Sequence, residues 1–409
     1  MSSIAERATP YREAWRFPAF RKLLFGQGLS MAGDAVCLAA LPVALMHAGR
    51  SGEIFGAIMG AVGIGTVIGA AAGGVLADRK SPRRILIATD SARGLAQLAA
   101  AALIVGSAPW WSLVIVYLAF GVGIGVARPC TQVLLVELLP RQALIAGNSA
   151  MNFVDNLVAI ILPATLGIAV ILWDPVWGVL MDALSFFAAA VVTTRLPERG
   201  RRESNVGFSL RETLAGVTVI VDHPELLLGL AATLLVNVLC FPIFLVVAPF
   251  AISASFGNAM WGVCLAASGS GACIGSVITV LAAGQQHLTA LALGCGLGLC
   301  AAMAALGMAQ APWHAVLGAG LVGIVESSWL TGWATIMQTH APERDLGKVV
   351  AVDTVATSGV HPFVYLGAGL AGATVGYAQT LMLTAALCAV ATAFIASIAI
   401  WRSAGVNRA

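Results

Sequence analysis

Residues 54–84 read IFGAIMGAVGIGTVIGAAAGGVLADRKSPRR. The first 24 carry no charge, and the last seven carry five. Wound as a helix at about 1.5 Å per residue, the uncharged run is about 36 Å long. A hydrocarbon core is about 30 Å thick. Backbone polar groups inside it must be bonded internally, which leaves helices or closed barrels. Barrel strands run to about 10 residues, so this stretch reads as a membrane-spanning helix that ends in a basic loop.

The rest of the chain follows the same pattern. It is 59% hydrophobic and 10% charged, with a mean hydropathy of +0.92. A soluble domain carries about 25% charged residues, so this chain lacks the charge to clothe a water-facing surface. Apolar runs between polar or Pro/Gly breaks predict twelve spans, at 19–47, 54–77, 84–106, 110–138, 143–172, 176–196, 225–253, 258–284, 288–309, 312–340, 347–374 and 377–401. Short turns fall at Ser107 to Pro109, Asp174-Pro175, Gly257-Asn258 and Ala311-Pro312. Leu196 to Pro224 is long and polar. The expectation is an all-α membrane protein with an N-terminal segment 1–18, a six-helix bundle 19–196, a linker 197–224, a second bundle 225–401 and a tail 402–409.

Charge orients the spans. Basic loops mark the cytoplasmic side. Arg7, Arg12, Arg16, Arg21 and Lys22 precede span 1; Arg79, Lys80, Arg83 and Arg84 follow span 2; Arg141 follows span 4. Arg195, Arg199, Arg201, Arg202 and Arg211 lie in or beside the linker, Arg344 and Lys348 between spans 10 and 11, and Arg402 and Arg408 after span 12. With twelve spans all of these fall on one side. Of 22 basic residues, Arg50 alone lies in an opposite loop, and Arg93 and Arg128 lie within spans. Both termini and the linker are expected in the cytoplasm, with the chain in the cytoplasmic membrane. The N-terminus lacks the short apolar core of a secretory signal. All eight cysteines fall in apolar segments without metal-site spacing, so they read as small hydrophobes, with no disulfide framework and no metal.

The halves repeat. Gly56, Gly63, Gly65, Ile68 and Gly69 of span 2 recur as Gly262, Gly269, Gly271, Ile274 and Gly275 of span 8 at one constant offset. Pro140 and Leu144 after span 4 correspond to Pro342 and Leu346 after span 10. Two matches in the order of a six-plus-six duplication fit a transporter built from repeats.

The loop from Gly74 through Asp78, Arg79, Arg83 and Arg84 is similar to the signature loop between spans 2 and 3 of the major facilitator superfamily. Phe20 to Gln27, Gly33-Asp34 with Ala40 to Pro42, Thr89-Asp90 with Arg93, Ala127 to Pro129, and Asp182 to Phe186 resemble its drug–proton antiporter branch, which includes macrolide and siderophore exporters. The resemblance implies two pseudo-symmetric six-helix bundles around a central cavity. It also implies that Gly74, Asp78, Arg79, Arg83 and Arg84 form a conformational latch. The counterpart after span 8, Gly284 to Gln286, carries no charge. Two positions depart from the branch pattern. Tyr117 stands near the place of a membrane arginine in span 4, and Leu162 to Gly167 keeps the proline but one glycine of the span 5 motif.

An ionisable residue inside a membrane is costly and a functional candidate by default. Asp34, Asp155 and Glu326 fall near mid-membrane; Asp182 lies outward, and Asp90, Glu137 and Asp353 lie nearer the cytoplasmic ends. The family architecture would line the cavity with spans 1, 4, 7 and 10, so that Asp34 and Glu326 face each other. Desolvated carboxyls exchange protons near neutral pH, which makes Asp34, Glu326 and Asp155, with His361, the candidate proton-coupling residues. Asn148, Asn152 and Asp155 share one face of span 5; Asp155 either lines the cavity or pairs with Arg128. Gln27, Met31, Asp34, Tyr117, Asn152, Asn237, Glu326, Trp329, Trp333 and Tyr365 are the candidate cavity residues. Glu326, Trp329 and Trp333 share a face of span 10 and could hold a lipophilic cation, the alternative being packing against span 11. Asp90, Arg93, Arg128, Glu137, Asp182 and Asp353 are expected to be neutralised within the membrane, since buried charges pair.

These readings favour a secondary antiporter that exports an amphipathic small molecule (a drug, an antibiotic or a siderophore-like compound) against inward proton flow. It would need no cofactor beyond protons, bind no nucleic acid, sit in the bilayer as a monomer and be no enzyme. A proton-coupled uptake symporter, a lipid flippase of the same fold and a non-transporting scaffold are the alternatives. The absence of a P-loop argues against an ATP-driven pump.

Overall fold

A computed structural model of the chain describes residues 14–140, 143–198, 210–239, 241–281, 288–342 and 345–406. The described residues form helices and short turns. The chain separates into two compact units, the first Met1–Gly49 with Ala61–Phe208, the second Arg50–Gly60 with Ser209–Ala409.

The first unit contains α1 (Pro18–His47), the later part of α2 (Gly52–Arg79), α3 (Pro82–Val105), α4 (Trp110–Leu138), α5 and α6 (Val176–Thr194). α5 starts as Leu144–Leu162, passes through a π-helical turn at Pro163–Gly167 and resumes as Ile168–Trp173. Pro163 has no N–H to give to the ladder, and the hydrogen-bond register shifts to a π turn there. α6 packs against both α1 and α3. α3 is not among the ten described helices long and apolar enough to cross a membrane. It spends Asp90, Arg93 and Gln97 on its buried face.

The second unit contains α7 (Leu210–Asp222), α8 (Pro224–Leu239), α9 (Phe241–Phe256), α10 (Ala259–Leu281), α11 (Leu288–Gly307), α12 (Pro312–His340), α13 (Leu346–Val375) and α14 (Tyr377–Val406). The structure differs from the sequence expectation in the linker. The expected polar linker holds an amphipathic helix, α7, which lies on α13. Its Gly216 sits against the Lys348 carbonyl, and its axis is bent by 109° from α8. The bend follows from Pro224, which disfavours helical backbone at the residue before it. Span 7 is helical on both sides of residue 240, which lies outside the described residues. In this unit the opening turns of α2 dock on the C-terminal helices. The Gly52 N–H donates to Tyr377 Oη at 2.8 Å, and Phe55 meets Phe250 with ring centroids 6.2 Å apart.

The repeat is visible in how helices cross. In the first unit a Cβ on Gly65 or Gly69 would strike backbone of α4, and one on Gly121 would strike the Val62 carbonyl. In the second, Gly271 and Gly275 face α12 backbone in the same way, and Gly323 faces the Ser268 carbonyl. Small residues let membrane helices approach backbone to backbone. The matched loops also agree. The Pro140 carbonyl accepts from the Ala143 N–H, and the Pro342 carbonyl accepts from the Asp345 and Leu346 N–H groups.

Candidate functional site

The densest set of intramembrane charges lies inside the first unit. Asp90, Arg93 and Gln97 recur at three and four residues along α3, which puts them on one face. Asp34 and Cys37 on α1, and Asp182 and Ser185 on α6, meet that face. Close approach of α1 and α6 depends on Gly33, where a Cβ would collide with the Asp182 and Ser185 side chains. Gly123 on α4 leaves room for the Arg93 stem in the same way.

Arg93 is the hub. Its Nη2 donates to both oxygens of Asp34, at 3.3 and 3.2 Å, and its Nη1 lies 3.8 Å from Asp90 Oδ1. The guanidinium is stacked 3.9 Å from the Phe186 ring centroid and 5.0 Å from that of Phe120. Cation–π contact of this kind is strongest where water is excluded, and the Arg93 side chain is 9% exposed. Asp34 differs: 43% of its side chain is accessible, so it is the member of the cluster that can meet water or a ligand. Asp90 Oδ2 and Arg93 Nε are buried with no hydrogen-bond partner among the described residues.

Behind this ion set is a neutral chain. The Tyr117 hydroxyl donates to Gln97 Oε1 at 3.1 Å. The Gln97 amide donates to Asp182 Oδ2 at 2.5 Å and contacts Cys37 Sγ at 3.6 Å. Ser185 Oγ donates to the Asp182 backbone carbonyl at 2.7 Å. Tyr117 and Gln97 are buried and Asp182 is wholly inaccessible. The sequence reading missed Gln97, Cys37 and Ser185. A glutamine one turn beyond Arg93 on an otherwise apolar face was the signal available.

Several expectations are corrected here. Tyr117, expected in the cavity, is a buried hydrogen-bond donor. Asp182 and Asp353, expected beside cations, have none within 4 Å among the described residues; Asp182 takes the Gln97 amide and Asp353 the Trp333 indole. Trp329 and Trp333 on α12 are buried and stacked, with centroids 6.3 Å apart. Their Nε1–H groups donate to Thr233 at 3.1 Å and Asp353 at 2.9 Å. Inside the second unit the indoles serve packing, because a buried indole N–H needs an acceptor. Glu326 is half-buried on the same helix, in electrostatic range of Tyr365 on α13. The His361 ring lies tilted against Tyr365 with centroids 6.0 Å apart, and its Nε2 is buried with no partner among the described residues.

Asp155 and Arg128 are both exposed and interact electrostatically. Gln27 accepts a hydrogen bond from Thr131 at 3.5 Å, Met31 is half-buried, and so is Glu137. The side chains of Asn152, Asn237, Gly74, Asp78 and Arg79 lie outside the described residues, as does the loop with Gly284. The rest of the expected latch binds the end of α6. Arg83 donates to the Thr193 carbonyl at 3.2 Å and to that of Thr194, satisfying carbonyls that a helix C-terminus leaves open. Arg84 Nε pairs with Glu198 Oε1 at 2.6 Å. The Arg84 hydrogen bond holds the Glu198 carboxyl below the usual range.

No curated protein matches the chain in sequence. Solved structures do match in fold. A nucleoside transporter, NupG, superposes with a TM-score of 0.78 at 11% identity over 93% of this chain and 98% of its own. A bacterial homologue of the iron transporter ferroportin, in an inward-facing state, gives 0.69 at 18% over 93% and 98%. A D-xylose–proton symporter gives 0.68 at 15% over 90% and 96%. At these identities the likeness is one of fold. The profile of the Major Facilitator Superfamily matches residues 23–364, and the chain therefore belongs to that superfamily of membrane transporters.

Proposed function

We propose that the protein is a proton-coupled secondary antiporter that exports an amphipathic small molecule, with both termini on the cytoplasmic side of the cell membrane. The observation that carries this reading is the Asp34–Arg93–Asp90 cluster. A half-accessible carboxylate held by a buried guanidinium is costly in a membrane, and it gives a carrier a charge that either a proton or a cationic ligand neutralises. Glu326, near Tyr365 and on the same unit as His361, is the matching candidate in the second unit. The apolar, Gly-rich helices favour an amphipathic substrate over a polar nutrient, which would need a denser set of polar side chains. Basic residues gathered in alternate loops support the orientation.

The test is uptake into inverted membrane vesicles with a panel of lipophilic cations, macrolides and siderophore-like chelators, under an imposed pH gradient. Accumulation that collapses with the gradient is expected, as is loss of that dependence in Asp34→Asn. Accumulation indifferent to the gradient for every transported compound would refute proton coupling. Accumulation that runs with the proton flow would make the protein a symporter.

A further inference from the structure

The central cluster of the first unit holds more negative charge than its cation can balance. Asp34, Asp90 and Asp182 would together carry −3 if ionised, against the single positive charge of Arg93. The excess is buried, for Asp90 is 1% and Asp182 0% exposed. In a dry site an uncompensated carboxylate takes up a proton instead of remaining charged. Of the two buried acids, Asp90 lies 3.8 Å from Arg93 Nη1, whereas Asp182 has no cation within 4 Å among the described residues, so Asp182 is the one left to do so.

Both oxygens of Asp34 accept from Arg93 Nη2, and its side chain reaches the accessible side, so it is suited to remain ionised. Asp182 meets neutral groups instead. Because the Tyr117 hydroxyl donates to Gln97 Oε1, the Gln97 amide is fixed with its NH2 on Asp182 Oδ2. Ser185 Oγ donates to the Asp182 backbone carbonyl at 2.7 Å and lies 3.4 Å from Oδ1, so its one hydrogen is shared between them. The side-chain partners of Asp182 are thus neutral groups, and among the described residues no cation lies within 4 Å of it. A wholly buried carboxyl with neutral partners alone is suited to hold a proton.

We propose that Asp182 is a proton-binding site of this transporter and shares one proton with Asp34, Arg93 being the counter-charge of whichever of the two is ionised. With the proton on Asp182, Arg93 pairs with Asp34, as the structure shows. When a proton from the accessible side neutralises Asp34, Arg93 is released to balance Asp182, whose own proton can then leave. One proton is gained and one lost, so the total charge of the unit is unchanged. The groups that face this pair are Cys37 on α1, Asp90 and Arg93 on α3, Tyr117 on α4 and, through Asp34, Asp155 on α5. Arg93 is the one cation among them. The inference rests on the proton-coupled reading above, but its test needs neither substrate nor gradient.

That test is infrared spectroscopy of the full-length protein in lipid nanodiscs at neutral pH, reading the deuterium-sensitive C=O stretch of a protonated carboxyl. The wild type should show the band and Asp182→Asn should lose it, while Asp90→Asn keeps it. Asp34→Asn frees the guanidinium and should also lose most of the band. Tyr117→Phe and Gln97→Leu retain the proton but loosen the bond to Oδ2, so the band should move to higher frequency; they serve if Asp182→Asn does not fold. A wild type without the band, a band that survives Asp182→Asn, or one that leaves with Asp90→Asn would overturn the proposal. So would a band unmoved in Gln97→Leu. If the band behaves as expected while transport ignores the pH gradient, the antiport reading fails and the proton site stands.

Discussion

Arg93→Gln tests the central cluster most directly. The guanidinium lies 3.2 Å from Asp34 and 3.8 Å from Asp90. At an effective dielectric constant of about 20, each contact is worth about 4–5 kcal/mol of gross attraction, most of it offset by the cost of taking the ions out of water. What remains measurable is the penalty for stranding a buried charge, about 3–5 kcal/mol when one partner of a buried pair is removed. Loss of the stacked contact with Phe186 adds to it. Asp34→Asn should cost far less, about 1 kcal/mol or below, because its side chain is 43% accessible and water can replace the partner. The double variant Arg93→Gln/Asp90→Asn should recover about 2 kcal/mol, since it removes the acid that the single variant strands. The chain carries its own reporters. Cys37 and Cys130 are buried in the first unit, so a thiol-reactive fluorophore reads its thermal unfolding in detergent. Arg93→Gln should unfold on the order of 10 °C below the wild type, Asp34→Asn only slightly below, and the double variant in between. An Arg93→Gln protein that unfolds together with the wild type, or a double variant less stable than the single, would falsify the idea that Arg93 neutralises buried acids.

The duplication predicts matched costs. Gly121→Ala and Gly323→Ala each push a methyl into a facing backbone carbonyl, and each should lose about 1–3 kcal/mol; Gly359→Ala, with nothing near its added carbon, should unfold like the wild type. Trp333→Phe removes the 2.9 Å bond to Asp353 and should cost about 1.5–3 kcal/mol by the same thermal assay, with transport affinity little changed if the indole packs rather than binds. The Glu198 carboxyl is held low by Arg84, so its contribution is complete above the usual carboxylate range and fades as pH falls through its own lower value. Hydrogen exchange at residues 193–198, corrected for the intrinsic rate, should therefore rise on acidification in the wild type and lose that dependence in Glu198→Gln.

Much of the fold was legible in the sequence because lipid imposes simple rules. Long uncharged runs, basic loops on one side and a glycine pattern repeated in spans 2 and 8 led to twelve intervals, every one of which holds helix. What escaped was local. The amphipathic helix at 210–222 and its sharp bend before α8 depend on a proline and on packing that a hydropathy scan averages away. The cluster was half legible. Asp34, Asp90, Arg93 and Asp182 stood out as charges in apolar surroundings, yet their pairing could not be read, because partners on α1, α3 and α6 lie 59 to 85 residues apart. Gln97 escaped because an uncharged amide draws no attention until its acceptors are known. Trp329 and Trp333 misled for the opposite reason: a shared helical face is equally what a core and a binding wall present.

The glycine crossings of α2 with α4 and of α10 with α12 carry a mechanical consequence. Contacts between side chains can yield by exchanging rotamers, so helices that meet through them can slide by small increments. Where backbone lies on backbone there are no rotamers to exchange, and a shift of even an ångström drives a carbonyl into a neighbouring chain. Each crossing is thus a rivet that fixes two rods into one stiff blade. Whatever strain a transport cycle generates inside either unit must be taken up in the helices that are not riveted, and α5, with its π turn at Pro163–Gly167, is the built-in place for it to bend.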